Sequence, residues 1–255
     1  MSQDSQEYRA KKAHFDRMLT IYGRKPVLEA LQTRGCKVER LHLSSRNKPA
    51  AILNEITDMA QKQGAEIFEH APQALSRISK NAKQDQGVAA DIACPNFMTL
   101  DQLISSQGAT QRVIALDRIT NPQNLGMIIR SVTASTFDAL ILPRKGCAAL
   151  SPLVIKASAG TLLKAPVVQV DSLATALDEL RRAGHRIYSL SLSAEHSLMS
   201  RLAADLETFV LGNETDGVSP QVNALCDSAV KIPMQRDVES LNVAITAALI
   251  CFSTS

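Results

Sequence analysis

Asn121-Pro122-Gln123-Asn124-Leu125-Gly126-Met127-Ile128-Ile129-Arg130 is the stretch from which the rest of the chain can be read. It follows Val113-Ile114-Ala115-Leu116-Asp117, a short apolar run that reads as a β-strand, and leads into an apolar periodicity that reads as a helix. Polar side chains are thus gathered at a strand-to-helix turn, where α/β proteins place their ligands. Two further turns repeat the pattern: Leu211-Gly212-Asn213-Glu214-Thr215-Asp216-Gly217, and Ile232-Pro233-Met234 followed by Ser240-Leu241-Asn242-Val243. Three polar clusters, each just after a predicted strand, imply one composite site at one edge of a sheet.

Outward from these clusters, strands are predicted near 112–116, 138–142, 166–170, 186–191, 207–211 and 229–232, and helices near 124–135, 151–159, 172–183, 219–225 and 240–251. Such alternation implies a mostly parallel sheet covered on both faces. The first part of the chain alternates on a smaller scale. A helix starts at Pro26-Val27-Leu28-Glu29-Ala30-Leu31, with proline tolerated in its first turn. Strands follow over Val38 to Leu43, at Ile67-Phe68 and over Gly87 to Ile92, with helices over Ala50 to Gln63 and Gln73 to Ser79. The expected organisation is a flexible basic arm over 1–19, a small α/β domain over 20–93, a linker over 94–111 with a short helix around Leu100 to Ser105, and a larger α/β domain over 112–255.

Composition narrows the class. Hydrophobic residues make up 45% and charged residues 21% of the 255, as in soluble globular proteins. Residues 1–50 carry 11 Lys/Arg against 5 Asp/Glu, whereas the remainder carries 17 against 20. A basic N-terminal part fits a polyanion such as RNA, or a solvated basic surface. The absence of Trp and an aromatic content of 4% argue against reading bases mainly by stacking. Five scattered cysteines without zinc spacing point to a reducing, cytoplasmic setting and to no metal site. No membrane span or signal peptide is expected.

Each cluster also has an ordinary structural reading. Asn124 stands where a helix N-cap is expected, and Arg130, about two turns on, reads equally as an exposed helix residue. The loop between Gly212 and Gly217 lacks both the Lys-Ser/Thr of a P-loop and the G-x-G-x-x-G of a dinucleotide site, so neither chemistry is supported. Ser240 is a competent N-cap. Asn242, inside the first turn, is disfavoured there unless it has another task.

As a set, the three clusters resemble the signatures of the SpoU (TrmH-type) RNA ribose methyltransferases of the SPOUT superfamily. The carriers are Asn121-Pro122, Asn124-Leu125-Gly126 with Arg130, Gly212-Asn213-Glu214 with Gly217, and Ile232-Pro233-Met234 with Ser240-Leu241-Asn242; Lys156-Ala157-Ser158-Ala159-Gly160 resembles a further family segment. Ile21-Tyr22-Gly23, Pro26 to Leu31 and Gln86-Gly87-Val88-Ala89-Ala90 resemble the L30e-like substrate-binding domain of a two-domain subgroup that includes 23S rRNA guanosine 2′-O-methyltransferases.

The resemblance implies a SPOUT-type parallel sheet with a trefoil knot in the last third of the chain, and a homodimer. It implies methyl transfer from S-adenosylmethionine to a ribose 2′-hydroxyl of structured RNA, with guanosine of 23S rRNA ahead of tRNA. Carried over, Asn124, Arg130, Glu214, Ser240 and Asn242 are the expected catalytic set, and Leu211, Gly212, Gly217, Ile232, Met234 and Leu241 the cofactor positions. Arg24, Lys25 and Arg46 are the expected RNA contacts. Three positions depart from the family pattern: Asn121 for the usual Asp, and Asp138 and Thr215 where Gly is common. Two other readings are a non-catalytic RNA-binding protein on the same fold and an unrelated small-molecule enzyme. The catalytic side chains present count against the first, and the basic N-terminal part against the second.

Overall fold

The computed structural model describes residues 18–81, 83–236 and 238–253. The arm expected over 1–19 lies outside these residues up to residue 17, and its last two residues belong to a strand. That strand, β1 (Met18–Tyr22), buries Leu19 and Ile21, a period-2 signal too short to stand out beside the charged segment before it. The smaller unit continues with α1 (Arg24–Gln32), β2 (Lys37–Ser44), α2 (Ala51–Lys62), β3 (Glu66–His70), α3 (Pro72–Ser79) and β4 (Val88–Ala93). Its sheet has the order β1-β4-β2-β3, with β4 antiparallel to both β1 and β2 and β3 parallel to β2.

Residues 94–111, expected as a linker, are built into the fold. Cys94 and Phe97 are buried, Met98 bridges to Val168, and α4 (Leu100–Ser105) starts from a capping box in which Thr99 and Gln102 satisfy each other's backbone N–H. The remaining elements are β5 (Gln111–Leu116), α5 (Pro122–Ala134), β6 (Ala139–Pro143), α6 (Pro152–Ala157), β7 (Val167–Val170), α7 (Leu173–Arg182), β8 (Arg186–Leu190), β9 (His196–Ser197), β10 (Leu206–Leu211), α8 (Pro220–Asn223), β11 (Ser228–Lys231) and α9 (Val243–Ser253). They form a seven-stranded, wholly parallel sheet of order β7-β6-β5-β10-β8-β11-β9.

Alternation along each strand divides the core in two. Ile114, Leu116, Leu140, Leu142, Phe209 and Leu211 face α5, α6 and α9, whereas Val113, Ala115, Ala139, Ile141 and Val210 face α4, α7 and α8. This two-sided burial explains why the strands read as continuous apolar runs rather than as alternating ones. The first of these clusters continues without a break through Phe97 and Cys94 into Ile21, Val38, Leu41 and Ile92 of the smaller sheet. Polar contacts reinforce that joint: the Cys36 thiol donates to the Leu163 carbonyl at 3.2 Å, and Asn96 Nδ2 donates to the Lys164 carbonyl at 2.8 Å.

The departure at Asp138 has a local structural use. Its carboxylate accepts from Arg112 N at 2.7 Å while its own N–H donates to the Arg112 carbonyl at 2.9 Å, closing the end of the β5–β6 ladder. At the amino edge of the sheet, just before β8, His185 is buried and held at both ring nitrogens, by Gln111 Oε1 and Thr208 Oγ1, each at 3.0 Å. Burial lowers its pKa from the usual value. The folded state therefore keeps it neutral, and the stability this contributes is present above the unfolded pKa near 6.5 and lost as pH falls towards the lower folded value.

Two outcomes follow. Below about pH 6.5 the unfolding free energy of the wild type declines by up to about 1.4 kcal/mol per pH unit more than that of His185→Gln, measured by urea denaturation across pH. At Gly126, where α5 meets α6, an added Cβ would collide with Ala157 Cβ and lie 2.9 Å from both Ser158 N and the Val154 carbonyl oxygen. Gly126→Ala should therefore lower stability by about 1–3 kcal/mol in the same assay, despite alanine's better helix propensity.

Candidate active site

The carboxyl ends of β8, β10 and β11 lie side by side in a parallel sheet, and the crevice outside such ends is where this architecture binds ligands. A cavity of about 500 Å³ opens there. Leu211, Gly212, Gly217, Ile232, Met234 and Leu241 all line it, together with Glu214 and Ser240. Sequence reasoning missed one wall: Leu190, the last residue of β8, and Ser191, Leu192 and Ser193 after it. The signal available was a predicted strand end beside the others, but that loop has neither glycine nor an amide or acid to single it out.

The loop from Gly212 to Ser219 is folded back on itself. Gly217 N donates to the Asn213 carbonyl at 2.8 Å, and a Cβ on Gly212 would collide with the Gly217 carbonyl group. Only glycine fits there, while Gly217 itself has φ +68°. Thr215 is not among the left-handed residues, so the departure from glycine brings no backbone strain, and its N–H donates to Asn213 Oδ1 at 2.7 Å. Across from the loop, Arg118 and Asp117 hold its far side: Arg118 Nη2 donates to the Gly217 carbonyl at 3.1 Å, and Asp117 Oδ2 accepts from Ser219 N at 2.6 Å.

The catalytic candidates divide into a group that meets and one residue that stands apart. Asn124 is buried; its Nδ2 donates to Glu214 Oε1, and its Oδ1 accepts from Asn242 Nδ2 at 3.1 Å. Both N-cap expectations are corrected. Pro122 occupies the first turn of α5, so the cap is Asn121, whose side chain accepts from Gln123 N at 2.8 Å. Asparagine thus does at position 121 what the family's usual aspartate would do, and Asn124 is left free to bond Glu214 and Asn242. At α9 the cap is Asn242, which accepts from Ala244 N at 2.8 Å, whereas Ser240 lies ahead of the helix, exposed and on the cavity wall.

Arg130 is six residues beyond Asn124 on α5, about 9 Å along the axis and roughly a third of a turn round from it. It is exposed beside exposed Met127 and makes no hydrogen bond or ion pair among the described residues. The arrangement within one chain does not bring it to the Asn124–Glu214–Asn242 group. The Lys156–Gly160 segment serves packing: α6 and the turn after it approach α5 at Gly126, and Gly160, with φ +78°, lies against Glu29 of α1.

A second cavity, about 720 Å³, lies on the smaller unit where α1, α2 and α3 begin. Of the three expected RNA contacts, Arg24 and Arg46 line it, joined by Lys48, which sequence reasoning passed over; Lys25 is exposed and not among the lining residues. Arg24 is fixed by Gln86, whose carbonyl accepts from its Nε at 3.2 Å. Among the described residues no group of His, Cys, Asp and Glu could hold a metal ion, and no helix is long and apolar enough to cross a membrane.

Comparison with known proteins agrees with this layout. Residues 111–252 match the SpoU rRNA Methylase family, and residues 20–98 match the RNA 2′-O ribose methyltransferase substrate binding family. A 23S rRNA (guanosine-2′-O-)-methyltransferase RlmB of Xanthomonas campestris pv. campestris is 34% identical over 203 residues, covering 78% of this chain and 81% of its own. A Staphylococcus haemolyticus protein assigned to the TrmH family of tRNA/rRNA methyltransferases is 34% identical, over 92% of this chain and 94% of its own. The crystal structure of the SpoU methyltransferase AviRb from Streptomyces viridochromogenes, in complex with AdoMet, has the same fold. Its TM-score is 0.67 at 24% identity, over 98% of this chain and 92% of that one. With the carboxyl-edge cavity, the folded-back glycine loop and the bonded asparagines in place, the chain belongs to the SpoU family of RNA 2′-O-ribose methyltransferases, whose cofactor is S-adenosylmethionine.

Proposed function

We propose that this chain methylates the 2′-oxygen of a guanosine in 23S rRNA, working as a homodimer with S-adenosylmethionine in the carboxyl-edge cavity. One observation carries the reading: all six expected cofactor positions line one cavity, and Glu214 on its wall is the hydrogen-bond partner of Asn124. The residues fit the cofactor. Gly212 leaves room that a Cβ would fill, and Leu211, Ile232, Met234 and Leu241 offer apolar surface to enclose an adenine. The choice of 23S rRNA and guanosine is supported by the RlmB relatives and by the match to a substrate-binding family over 20–98.

A ribose 2′-hydroxyl is a weak acid and a poor nucleophile, so it must be aligned and helped to lose its proton. The bound cofactor supplies an electrophilic methyl group. Asn124 is held in one orientation by Glu214 and Asn242, which fixes the donor and acceptor it offers to a ribose. Glu214 organises the loop, while Ser240 and Asn242 help orient ribose or cofactor. Arg130 grips a phosphate and steers the hydroxyl; a guanidinium holds its protons too tightly to act as an ordinary base.

The homodimer reading draws on an exposed apolar row of α9, Ile245, Leu249 and Phe252, at i, i+4 and i+7, and on Met127 of α5. Arg130 shares that exposed region of α5, which supports its delivery to the partner's site. The proposed trefoil knot is supported by the path after β11, which returns to put Asn242 on Asn124 and α9 against α5. The smaller unit is proposed as an L30e-like RNA-binding domain, its contacts centred on the cavity of Arg24, Arg46 and Lys48, with Lys25 at its margin.

The reaction is tested with labelled S-adenosylmethionine and total RNA from cells lacking this protein, followed by fractionation and nucleoside mass spectrometry. The expected product is 2′-O-methylguanosine in 23S rRNA. Label in tRNA would move the substrate, and absence of both label and cofactor binding would return the chain to a non-catalytic RNA binder.

Arg130→Ala should keep cofactor affinity and lose activity by at least about 100-fold. A heterodimer pairing an Arg130→Ala chain with an Asn242→Ala chain should regain roughly half the wild-type turnover, because one of its two sites is then complete. No regain means that Arg130 acts within its own chain. Arg24→Glu with Arg46→Glu should weaken RNA binding and flatten its salt dependence, read as the slope of log Kd against log salt; an unaltered slope would remove this cavity from the RNA interface.

A further inference from the structure

The geometry points to Arg118 as a positioning residue that holds the cofactor loop in its binding shape by gripping it from the opposite turn. Arg118 follows β5, in the turn that leads to α5, and has φ +59°, a conformation that favours glycine. A long charged side chain in that conformation is unusual, and here its contacts converge on a single target. Nη2 donates to the Gly217 carbonyl at 3.1 Å, and Nη1 donates to Asp216 Oδ2 at 3.3 Å. Its own carbonyl accepts from Asn213 Nδ2 at 3.3 Å. The residue thus holds both ends of the folded-back segment between Asn213 and Gly217.

Asp117 extends the grip. Its Oδ2 accepts from Ser219 N at 2.6 Å and stands 3.6 Å from Arg118 Nε, so the turn after β5 touches the loop at residues 213, 216, 217 and 219. The loop's apex is Thr215-Asp216, both exposed. Asp216 supplies the carboxylate for the ion pair from that apex. The same loop lines the cavity along its whole length from Gly212 to Val218, with Asp216 among the lining residues. Arg118 itself is not among the cavity's lining residues, so it acts on the cofactor through the loop.

A loop held in its binding shape before the ligand arrives spares the ligand the cost of ordering it. The grip therefore strengthens cofactor binding without altering the chemical step. The Arg118 side chain is 37% exposed and that of Asp216 63%, so salt screens the ion pair and loosens the loop.

This inference rests on the proposal that the carboxyl-edge cavity holds S-adenosylmethionine, and the test separates the two. The full-length protein is compared with Arg118→Gly, which removes the guanidinium and tolerates the positive φ, with Asp216→Asn at an exposed position, and with Gly212→Ala. Binding of S-adenosylhomocysteine is measured by calorimetry, and methyl transfer to rRNA gives KM for S-adenosylmethionine and kcat.

Arg118→Gly should raise Kd and KM about tenfold, the scale of losing charge-assisted hydrogen bonds, with kcat at saturating cofactor within about twofold. Asp216→Asn should raise them about threefold, and either change should reduce the salt dependence of Kd seen in the wild type. A merely structural residue would lower the melting temperature and the active fraction but leave KM in place. Unchanged Kd in both variants, or a loss confined to kcat, overturns the role of Arg118 provided Gly212→Ala still abolishes binding. Wild-type binding by Gly212→Ala overturns the cavity assignment, and this inference with it.

Discussion

Asn124 is a buried amide, and a buried amide must find partners for its donors and its acceptor. In this fold they come from two distant places, Glu214 in the loop after β10 and Asn242 at the cap of α9. One side chain therefore draws together three segments separated by 90 and 118 positions in sequence. An error in the path of either would leave the buried amide of Asn124 without a partner, at a cost of about 1–3 kcal/mol. Specificity of the chain path and geometry of the site are the same constraint.

Around that point the architecture is arranged by backbone approach as much as by side-chain packing. Gly126 lets α5 settle on α6, Gly212 lets the loop after β10 close on itself, and Gly160 lets the turn after α6 sit against Glu29 of the smaller unit. Each removes a Cβ where two backbones, or a backbone and a carboxylate, come too near for one. The hydrophobic cluster that runs unbroken between the two sheets explains why 94–111 behaves as packed structure: its Cys94 and Phe97 are part of the core.

Much of this was legible in the sequence, and the misses have physical causes. The parallel strands could be read because burial on both faces makes them continuous apolar runs, and the three polar turns were legible as strand endings. The caps were displaced by a few residues because Ser and Asn are equally competent N-caps; at α5 the decisive sign was Pro122, which places the cap one residue earlier. At α9 the choice between Ser240 and Asn242 depends on a bond to Asn124, which no local rule contains. β9 is two residues long and exists only through pairing with β11. The wall after β8 and the contacts of Arg118 lack any motif, since a left-handed arginine looks like any other until the chain is folded. Arg130 is exposed on its helix, and the chain by itself does not carry it to the asparagines.

The N-cap of α9 also has a bearing on the order in which the structure can be completed. Asn242 starts the helix by accepting from Ala244 and, with the other end of the same amide, holds Asn124 in place. A chain ending at residue 241 would contain every strand of both sheets and the glycine loop, yet would lack the Asn242 amide that bonds Asn124 Oδ1. One amide at the start of α9 therefore ties the formation of that helix to the alignment of a residue 118 positions earlier.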